Sequence, residues 1–318
     1  MKSFTERIKH RYNLADRNSF VFCYVLLGLS LIPFLLFWVY VNINSFVLAF
    51  TDMRGGFTPE HFAEVWKGLV DKDRYGWNLG SLLGRSVLIW LIGELISFPA
   101  MLTTYVLYKK IPGHYVFRVI FMIPTILAGI VWTMMMRYIF TVGGPILAIA
   151  EKLGIDIPLD VATNGMFGSP KTAFVTMLVI YFLPRLIGFN MIISGAYARI
   201  PEQLFEVGQL EGLGFIREFF VVAVPLVWPT IVIGVIQAMA TVFTGDCGVF
   251  LYTMGQYDTA TMGFYIYYLT YAISGVADTM SVDYGYAAAI GVSVTCITIP
   301  LVLVAKYGLE KLVPEVSF

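Results

Sequence analysis

The chain has 318 residues, of which 58% are hydrophobic and only 13% charged, and its mean hydropathy is +0.77. This composition excludes a soluble globular domain, in which about 25% of residues are charged, and predicts a multi-pass protein of the lipid bilayer. The formal net charge of +0 leaves no overall field that would attract a nucleic acid.

Six apolar segments are close to the roughly 20 residues that a helix needs to cross the hydrocarbon core of a membrane. Because backbone groups in lipid must be bonded internally, helices are the expected element, and the fold class is an all-α membrane protein with six transmembrane helices. The predicted spans are Phe20–Val41, Ser86–Tyr108, Val119–Phe140, Thr172–Ser194, Phe220–Phe243 and Gly285–Ala305. The first is of membrane length and has no small-residue cleavage site after it, so it is not interpreted as a removable signal peptide.

Lysines and arginines indicate the orientation of these spans. Twelve of the 21 basic residues lie in the short segments on one side, and seven lie in the longer loops opposite. The positive-inside rule therefore predicts that both termini and the loop between the fourth and fifth spans are cytosolic. The membrane is expected to be the inner or plasma membrane of a bacterial or archaeal cell.

Three long connections are predicted on the outer side. The first, Asn42–Arg85, contains a capped amphipathic helix that begins near Thr58 and Pro59. The others are Thr141–Lys171 and Thr244–Tyr284. Within the last, Phe250–Ile273 is interpreted as a helix that packs against the outer ends of the bundle or is partly re-entrant. A seventh span is the alternative, although it would place the basic C-terminal residues outside.

The cytosolic loop between the fourth and fifth spans is the most informative segment. It opens with Ile200, Pro201 and Glu202, and acidic residues at a helix start match the positive end of the helix dipole. Gly212 and Gly214 then allow a sharp break before a second helix near Phe215. Two short helices joined by such a turn would present a compact knob to a partner protein.

The order Ile-Pro-x-x-Leu-x-Glu-x-x-x-x-Glu-Gly, followed by Phe-Phe and Pro, resembles the EAA loop of binding-protein-dependent ABC importer permeases of the carbohydrate, maltose-permease-like branch. The resemblance extends to Phe117–Pro124, Gly143–Leu147, Gly188–Met191 and Tyr284–Ala289, and covers about residues 45 to 305. It implies the type I permease fold. It also implies that the following residues couple the chain to an ATPase: Glu206, Gly208, Glu211, Gly212, Gly214, Phe219, Phe220 and Pro225.

On this basis the chain is divided into three parts. Residues 1–80 hold the cytosolic N-terminus, the first transmembrane helix and the outer loop. Residues 81–306 form the permease core, with the EAA-like coupling loop at about 196–220, and residues 307–318 form a cytosolic tail.

The resemblance also implies a substrate route, lined by Thr125, Gly129, Tyr181, Arg185, Thr241 and Gly245. None of these matches a family side chain closely, and the segments Leu183–Arg185 and Thr253–Gln256 depart from the family pattern near that route. Intramembrane charges usually face protein or water. Glu94 is interpreted as a structural partner of another helix, and Arg185, beside Pro184, as a residue of the cavity wall.

No ATP site is found, because Gly80–Ser86 is one residue short of a phosphate loop and lacks its lysine. The three cysteines have no metal or redox spacing, so no metal site, catalytic residue or bound cofactor is expected. The resemblance implies that ATP and Mg²⁺ are bound by two partner ATPase subunits, and that a second permease subunit and an extracellular solute-binding protein complete the importer.

The function expected from the resemblance is ATP-driven import of a sugar or oligosaccharide, in which this chain is a transport subunit and not an enzyme. Two alternatives stay open. One is a permease for another solute, such as a phosphorylated polyol or a peptide-like compound. The other is an ion-coupled secondary carrier, which the single docking loop and the lack of buried acidic pairs disfavour.

Overall fold

The computed structural model describes residues 17–52, 55–187, 190–272 and 283–312. Within these ranges the regular structure is helical, apart from one isolated bridge between Thr51 and Phe57. Six helical segments are long and apolar enough to cross a membrane, as the sequence predicts: Phe22–Ala49, Leu79–Tyr108, Gly129–Lys152, Ala173–Tyr197, Phe215–Ala240 and Tyr284–Lys311. The basic residues ahead of Arg17 and the last six residues of the predicted tail lie outside the described part.

The first span consists of α1 (Arg17–Pro33), a π-helical turn π1 (Phe34–Val39) and α2 (Tyr40–Ala49). It continues eight residues beyond the predicted end at Val41. Nearly every described side chain of this span is exposed, and Ala49 is the first that is buried. Such an apolar, exposed helix is suited to lipid or to another membrane subunit.

A helix is present where the amphipathic helix of the first long connection is predicted: α3 (Glu60–Val70) buries His61, Val65 and Gly68 and exposes Trp66. The second span, α4 (Leu79–Tyr108), begins seven residues before the predicted start, because the Asn78 side chain accepts a hydrogen bond from the Ser81 N–H at 2.8 Å and caps it there.

The third span, predicted as Val119–Phe140, is not continuous: the membrane-length segment Gly129–Lys152 begins ten residues later than predicted, and a shorter apolar helix precedes it. The structure has α5 (His114–Ile126) and α6 (Gly129–Phe140), separated by Leu127 and Ala128 with extended backbones at ψ 135° and 134°. Pro124 lacks an N–H and weakens the last turn of α5, and glycine is a poor helix former at the next start. After α6 follow the short helices α7 (Pro145–Lys152) and α8 (Leu159–Asn164).

The fourth span, predicted as Thr172–Ser194, is described as α9 (Ala173–Ile187) and α10 (Met191–Tyr197). Gly188 and Phe189, part of the family resemblance, lie outside the described residues. Asn190 has an extended backbone, and its side chain accepts hydrogen bonds from the N–H groups of Ile192 and Ile193, both at 3.1 Å. The capping residue therefore starts a new helix at this point.

The loop between the fourth and fifth spans contains α11 (Glu202–Leu210). The fifth span consists of α12 (Phe215–Glu218), a π-helical turn π2 (Phe219–Ala223) and α13 (Val224–Ala240). Pro225 lies at the start of α13, and a proline beside a π-helical turn is a common way for a helix to change direction. The last helix, α16 (Tyr284–Leu312), continues seven residues beyond the predicted end of its span at Ala305.

The outer segment predicted as one packed helix, Phe250–Ile273, is not continuous. It contains α14 (Val249–Tyr252), a turn, α15 (Met262–Tyr267) and a π-helical turn π3 (Tyr268–Ala272), while Ile273 lies outside the described residues. Met254, Tyr257 and Asp258 have positive φ angles, which break the helix. The segment is largely buried against α3, α4 and α16, and its described part contains no seventh span.

Two buried clusters hold the bundle together. The larger one joins α3, α4, α9, α15 and α16 at the end of the bundle that carries α3, with fully buried aromatic rings of Tyr265 and Tyr286. The smaller one joins α4, α10, α11, π2 and α13 at the opposite end, around Tyr105 and Tyr197. The space between these two clusters contains a cavity, described below.

Candidate coupling loop and substrate pathway

The segment predicted to couple to an ATPase forms a helix-turn-helix knob, which we call the coupling loop (residues 196–220). Gly212 has φ +76°, a value that glycine adopts without strain, and it ends α11 and turns the chain toward α12. Gly208 is buried, and a Cβ there would lie 3.2 Å from Leu213 Cδ1. The two glycines therefore let the turn fold back onto α11.

The predicted coupling residues divide into an outward and an inward set. Glu206, Glu211, Gly212, Gly214 and Phe220 are exposed, whereas Gly208 and Phe219 are buried, and Pro225 continues the second helix into the bundle. Apolar side chains accompany the exposed acids: Leu210 is 88% exposed and Ile216 is 64% exposed. Exposed apolar residues beside carboxylates give the knob the character of a docking surface.

Behind the knob lies a polar cluster that the sequence analysis did not foresee. Glu218 is 3% exposed, and its carboxylate accepts a hydrogen bond from the Tyr105 hydroxyl and pairs with the Lys109 ammonium. The Lys109 nitrogen also lies 4.1 Å from the centre of the Phe205 ring. The available signal was the lone acid Glu218 inside an apolar run, together with a lysine at the end of the second span.

A cavity of about 470 Å³ lies between four helices of the bundle. Its wall is formed by α4, the end of α9, the start of α10 and the middle of α13. The polar residues of the wall are Glu94, Ser97, Arg185, Asn190 and Thr230. The break between α9 and α10 therefore opens onto the cavity, and discontinuous helices commonly line substrate sites in transporters.

Arg185 is the predicted pathway residue that lines this cavity. Its guanidinium lies against Gly93 of α4, where an added Cβ would be 2.9 Å from Nη1. Glu94, expected to be a structural partner of another helix, lines the same cavity and is electrostatically coupled to Arg185. Because Gly93 has no side chain, there is room for the Arg185 guanidinium near the Glu94 carboxylate.

Tyr181 lies one turn before Arg185 on α9, and its hydroxyl lies near the thiol of Cys247. Burial raises the pKa of that thiol to about 11. Gly245 is close to Cys247, since a Cβ on the glycine would lie 3.8 Å from Cys247 Sγ. Two further predicted residues, Tyr181 and Gly245, therefore meet around a cysteine that was interpreted from the sequence as having no metal or redox role.

Two other predicted pathway residues, Gly129 and Thr241, are not in the described wall of the cavity. Gly129 begins α6, and Thr241 ends α13, where its hydroxyl donates to the Gln237 carbonyl at 3.2 Å. Thr125 belongs to α5, and its side chain lies outside the described residues. The route through these positions stays a prediction.

Within the described part of the chain, no cluster of three or more His, Cys, Asp or Glu side chains is arranged to hold a metal ion. All three cysteines are free.

Comparisons with known proteins are consistent with this architecture. No protein-family model matches the chain. It is 25% identical over 282 residues to the "Probable ABC transporter permease protein YurN" of Bacillus subtilis, with 86% of this chain and 92% of that protein covered. It is also 25% identical to the multiple sugar-binding transport system permease protein MsmF of Streptococcus mutans, with 70% and 71% covered.

A third relative is the sulfoquinovosyl glycerol transport system permease protein SmoG of Agrobacterium fabrum, which is 25% identical over 54% of this chain and 50% of that protein. Among solved structures, the chain superposes on a chain of a bacterial ABC transporter involved in the import of the acidic polysaccharide alginate. The TM-score is 0.73 at 15% identity, with 91% and 95% of the two chains covered. In sequence and in fold, this chain is therefore similar to membrane-spanning permease proteins of ABC transporters, among them sugar permeases.

Proposed function

We propose that the chain forms part of the membrane pathway of an ATP-driven importer for a sugar or oligosaccharide. The substrate class is supported by the relatives, whose names specify multiple sugars and sulfoquinovosyl glycerol, and by the alginate importer that shares the fold. The cavity at the break between α9 and α10 is the proposed substrate site. Its carboxylate, guanidinium, amide and hydroxyl groups supply donors and acceptors for a polyhydroxylated ligand.

The coupling loop is the proposed contact with an ATPase, and its surface is the observation that carries this proposal. Apolar side chains that a helix-turn-helix exposes to water outside the lipid are typical of a surface that another protein covers. The acidic side chains of Glu206 and Glu211 rim the apolar patch, as charged groups rim a typical protein interface. The loop, and with it both termini, is accordingly proposed to be cytosolic.

The complete importer is proposed to contain two ATPase subunits, which bind ATP and Mg²⁺, a second permease subunit and an extracellular solute-binding protein. One solved structure with the same fold is an alginate ABC transporter in complex with an alginate pentasaccharide-bound periplasmic protein, with a TM-score of 0.74 to this chain. Closure of the ATPases would displace the loop and switch the cavity between inward-open and outward-open states. No covalent chemistry is assigned to this chain.

The docking role is tested by Glu206→Arg in the complete complex reconstituted in liposomes. We expect ATP-driven uptake of a labelled oligosaccharide, maltotriose or an alginate trisaccharide, to be lost together with ATPase copurification. Glu151→Arg, an exposed acid on α7 far from the loop in sequence, is the matched control and should leave uptake intact. Wild-type uptake with Glu206→Arg would contradict the docking role.

The substrate class is tested by purifying the complex with its solute-binding protein and identifying the retained ligand by mass spectrometry. A saccharide is expected. Retention of an amino acid or a metal ion would contradict the sugar assignment, and uptake that an uncoupler abolishes while ATP persists would favour an ion-coupled carrier instead.

A further inference from the structure

The Lys109–Glu218 pair lies where the coupling loop meets the bundle. Glu218 is the last residue of α12, and its side chain is 4% exposed, while that of Lys109, directly after α4, is 21% exposed. A charge buried to this degree is costly unless it is paired and hydrogen-bonded. Glu218 meets this requirement with the ammonium of Lys109 and the hydroxyl of Tyr105, both from the α4 end of the bundle.

Both helices of the coupling loop are attached to this one place. The Gln209 side chain of α11 lies near the Glu218 carboxylate, and Phe205 of α11 lies under the Lys109 ammonium. The Tyr105 ring lies 5.2 Å, between ring centres, from both Phe215 and Phe219. The loop is therefore joined to α4 by an ion pair, a hydrogen bond and ring contacts that converge on a single turn of α4.

The middle of the same helix forms part of the wall of the cavity. Glu94, Ser97 and Met101 of α4 line the cavity, and Gly93 contacts the Arg185 guanidinium. Eleven residues separate Glu94 from Tyr105, which is roughly 16 Å along a helix. Within the described residues, the Lys109–Glu218 pair is the ion pair that connects the coupling loop to a cavity-lining helix.

We propose that Lys109 and Glu218 are positioning residues that lock the coupling loop to α4, so that displacement of the loop by an ATPase moves the α4 wall of the cavity. Without the pair, the loop can still dock and the ATPase can still turn over, but its movement is transmitted less completely to the cavity. The inference rests on the proposed function and deepens it by naming the element that transmits the movement.

The test measures ATP hydrolysis and oligosaccharide uptake in the same reconstituted complex and takes their ratio. For Lys109→Gln and Glu218→Gln, we expect the uptake per ATP hydrolysed to fall on the order of tenfold, the size of effect that coupled neighbouring residues produce. The double variant Lys109→Glu/Glu218→Lys re-forms the pair with reversed charges and should recover most of the ratio. Lys110→Gln, the adjacent exposed lysine, is the control and should match wild type.

A purely structural role would lower the yield or thermal stability of the complex and leave the ratio unchanged, and this result would overturn the proposal. If both glutamine variants fail to assemble, Tyr105→Phe decides, because it removes the hydroxyl from Glu218 and keeps the ring packing: a reduced ratio supports the proposal and a wild-type ratio contradicts it. Wild-type uptake that does not consume ATP would instead contradict the proposed function and the inference with it.

Discussion

At the residue scale, two kinds of position are the most informative: glycines at which a larger side chain would not fit, and buried charged side chains. Gly93 is ordinary by sequence, one of several small residues in an apolar helix. In the structure, a Cβ added at Gly93 would lie 2.9 Å from the Arg185 guanidinium and 3.0 Å from the Phe182 ring, so a larger side chain would not fit there. An intramembrane arginine needs such a contact surface and a nearby carboxylate, here Glu94.

Gly93→Val is expected to push Arg185 out of its place and to abolish uptake. Overpacking of this kind typically costs about 1–3 kcal/mol of stability, so thermal unfolding of the purified complex should be measured beside transport. Gly84→Val, on the same helix, is the matched control, because no atom lies within 4 Å of its Cβ position. Normal transport by the Gly93 variant would show that the arginine position is not needed.

Cys247 provides a pH-dependent prediction. Burial raises the pKa of its thiol from 9.0 to about 11. The reactive thiolate fraction near pH 8 is then about 100-fold smaller than for a cysteine with the ordinary value, and it grows about tenfold per pH unit until the pKa is reached. Maleimide labelling of a chain lacking Cys23 and Cys296 should follow this profile.

The control for that measurement is a cysteine at the exposed position 151, introduced by Glu151→Cys in a background without the three native cysteines. Its labelling rate should level off near pH 8.5 to 9. Identical pH profiles for the two cysteines would refute the burial of Cys247 in the resting complex.

At the element scale, this bundle differs from one of six continuous helices because two of its spans are broken. The third span is interrupted between α5 and α6 and the fourth between α9 and α10. The second break is fastened to α4, since the backbone N–H of Asn190 donates to Thr104 Oγ1 at 3.1 Å and Thr104 is fully buried. The break is therefore held in position and keeps the cavity wall open at Asn190.

Asn190→Ala removes the cap of α10 and should destabilise the complex by about 1 kcal/mol, the usual cost of losing an N-cap side chain. Asn190→Asp retains an acceptor oxygen at the same place and should be close to wild type in thermal unfolding. An alanine variant as stable as wild type would indicate that the break persists without its cap.

At the scale of the whole molecule, one buried carboxylate joins the outer helix α3, the loop before α4 and the start of α16. Asp283 Oδ2 accepts a hydrogen bond from Arg74 at 2.7 Å and lies 3.8 Å from His61 Nδ1. Its other oxygen accepts from the Tyr286 N–H at 3.0 Å and caps α16. The outer end of the bundle is thus held by a residue just before the last span.

Asp283→Ala is expected to destabilise the complex by about 2 kcal/mol, below the range for a fully buried pair because Arg74 is a third exposed. Asp283→Asn keeps the oxygen that caps α16 and should therefore lose less stability than Asp283→Ala. Glu310→Ala breaks the half-exposed Lys306–Glu310 pair on α16 and should change stability by under about 0.5 kcal/mol. Equal losses of stability for Asp283→Ala and Glu310→Ala in thermal unfolding would contradict the role of Asp283 in holding α3, the loop before α4 and α16 together.

Membrane class, the number of spans and the two-helix form of the coupling loop were determined by the sequence alone, because hydropathy, span length and glycine spacing act locally along the chain. The coupling residues from Glu206 to Phe220 were proposed from the sequence pattern for the same reason. The pattern did not show which of them face outward, since the burial of Phe219 and the exposure of Phe220 depend on the neighbouring α4.

The tertiary structure decided what depends on helices distant in sequence. The pairing of Lys109 with Glu218 joins residues 109 positions apart, and the contact of Arg185 with Gly93 joins two spans. The points at which the third and fourth spans divide into separate helices were also decided by the packing, because proline and asparagine break an apolar run only where the packed bundle supplies partners for the freed backbone groups. Charges in a bilayer interior follow the same rule: the sequence shows that they exist, and only the packing of the helices shows what balances them.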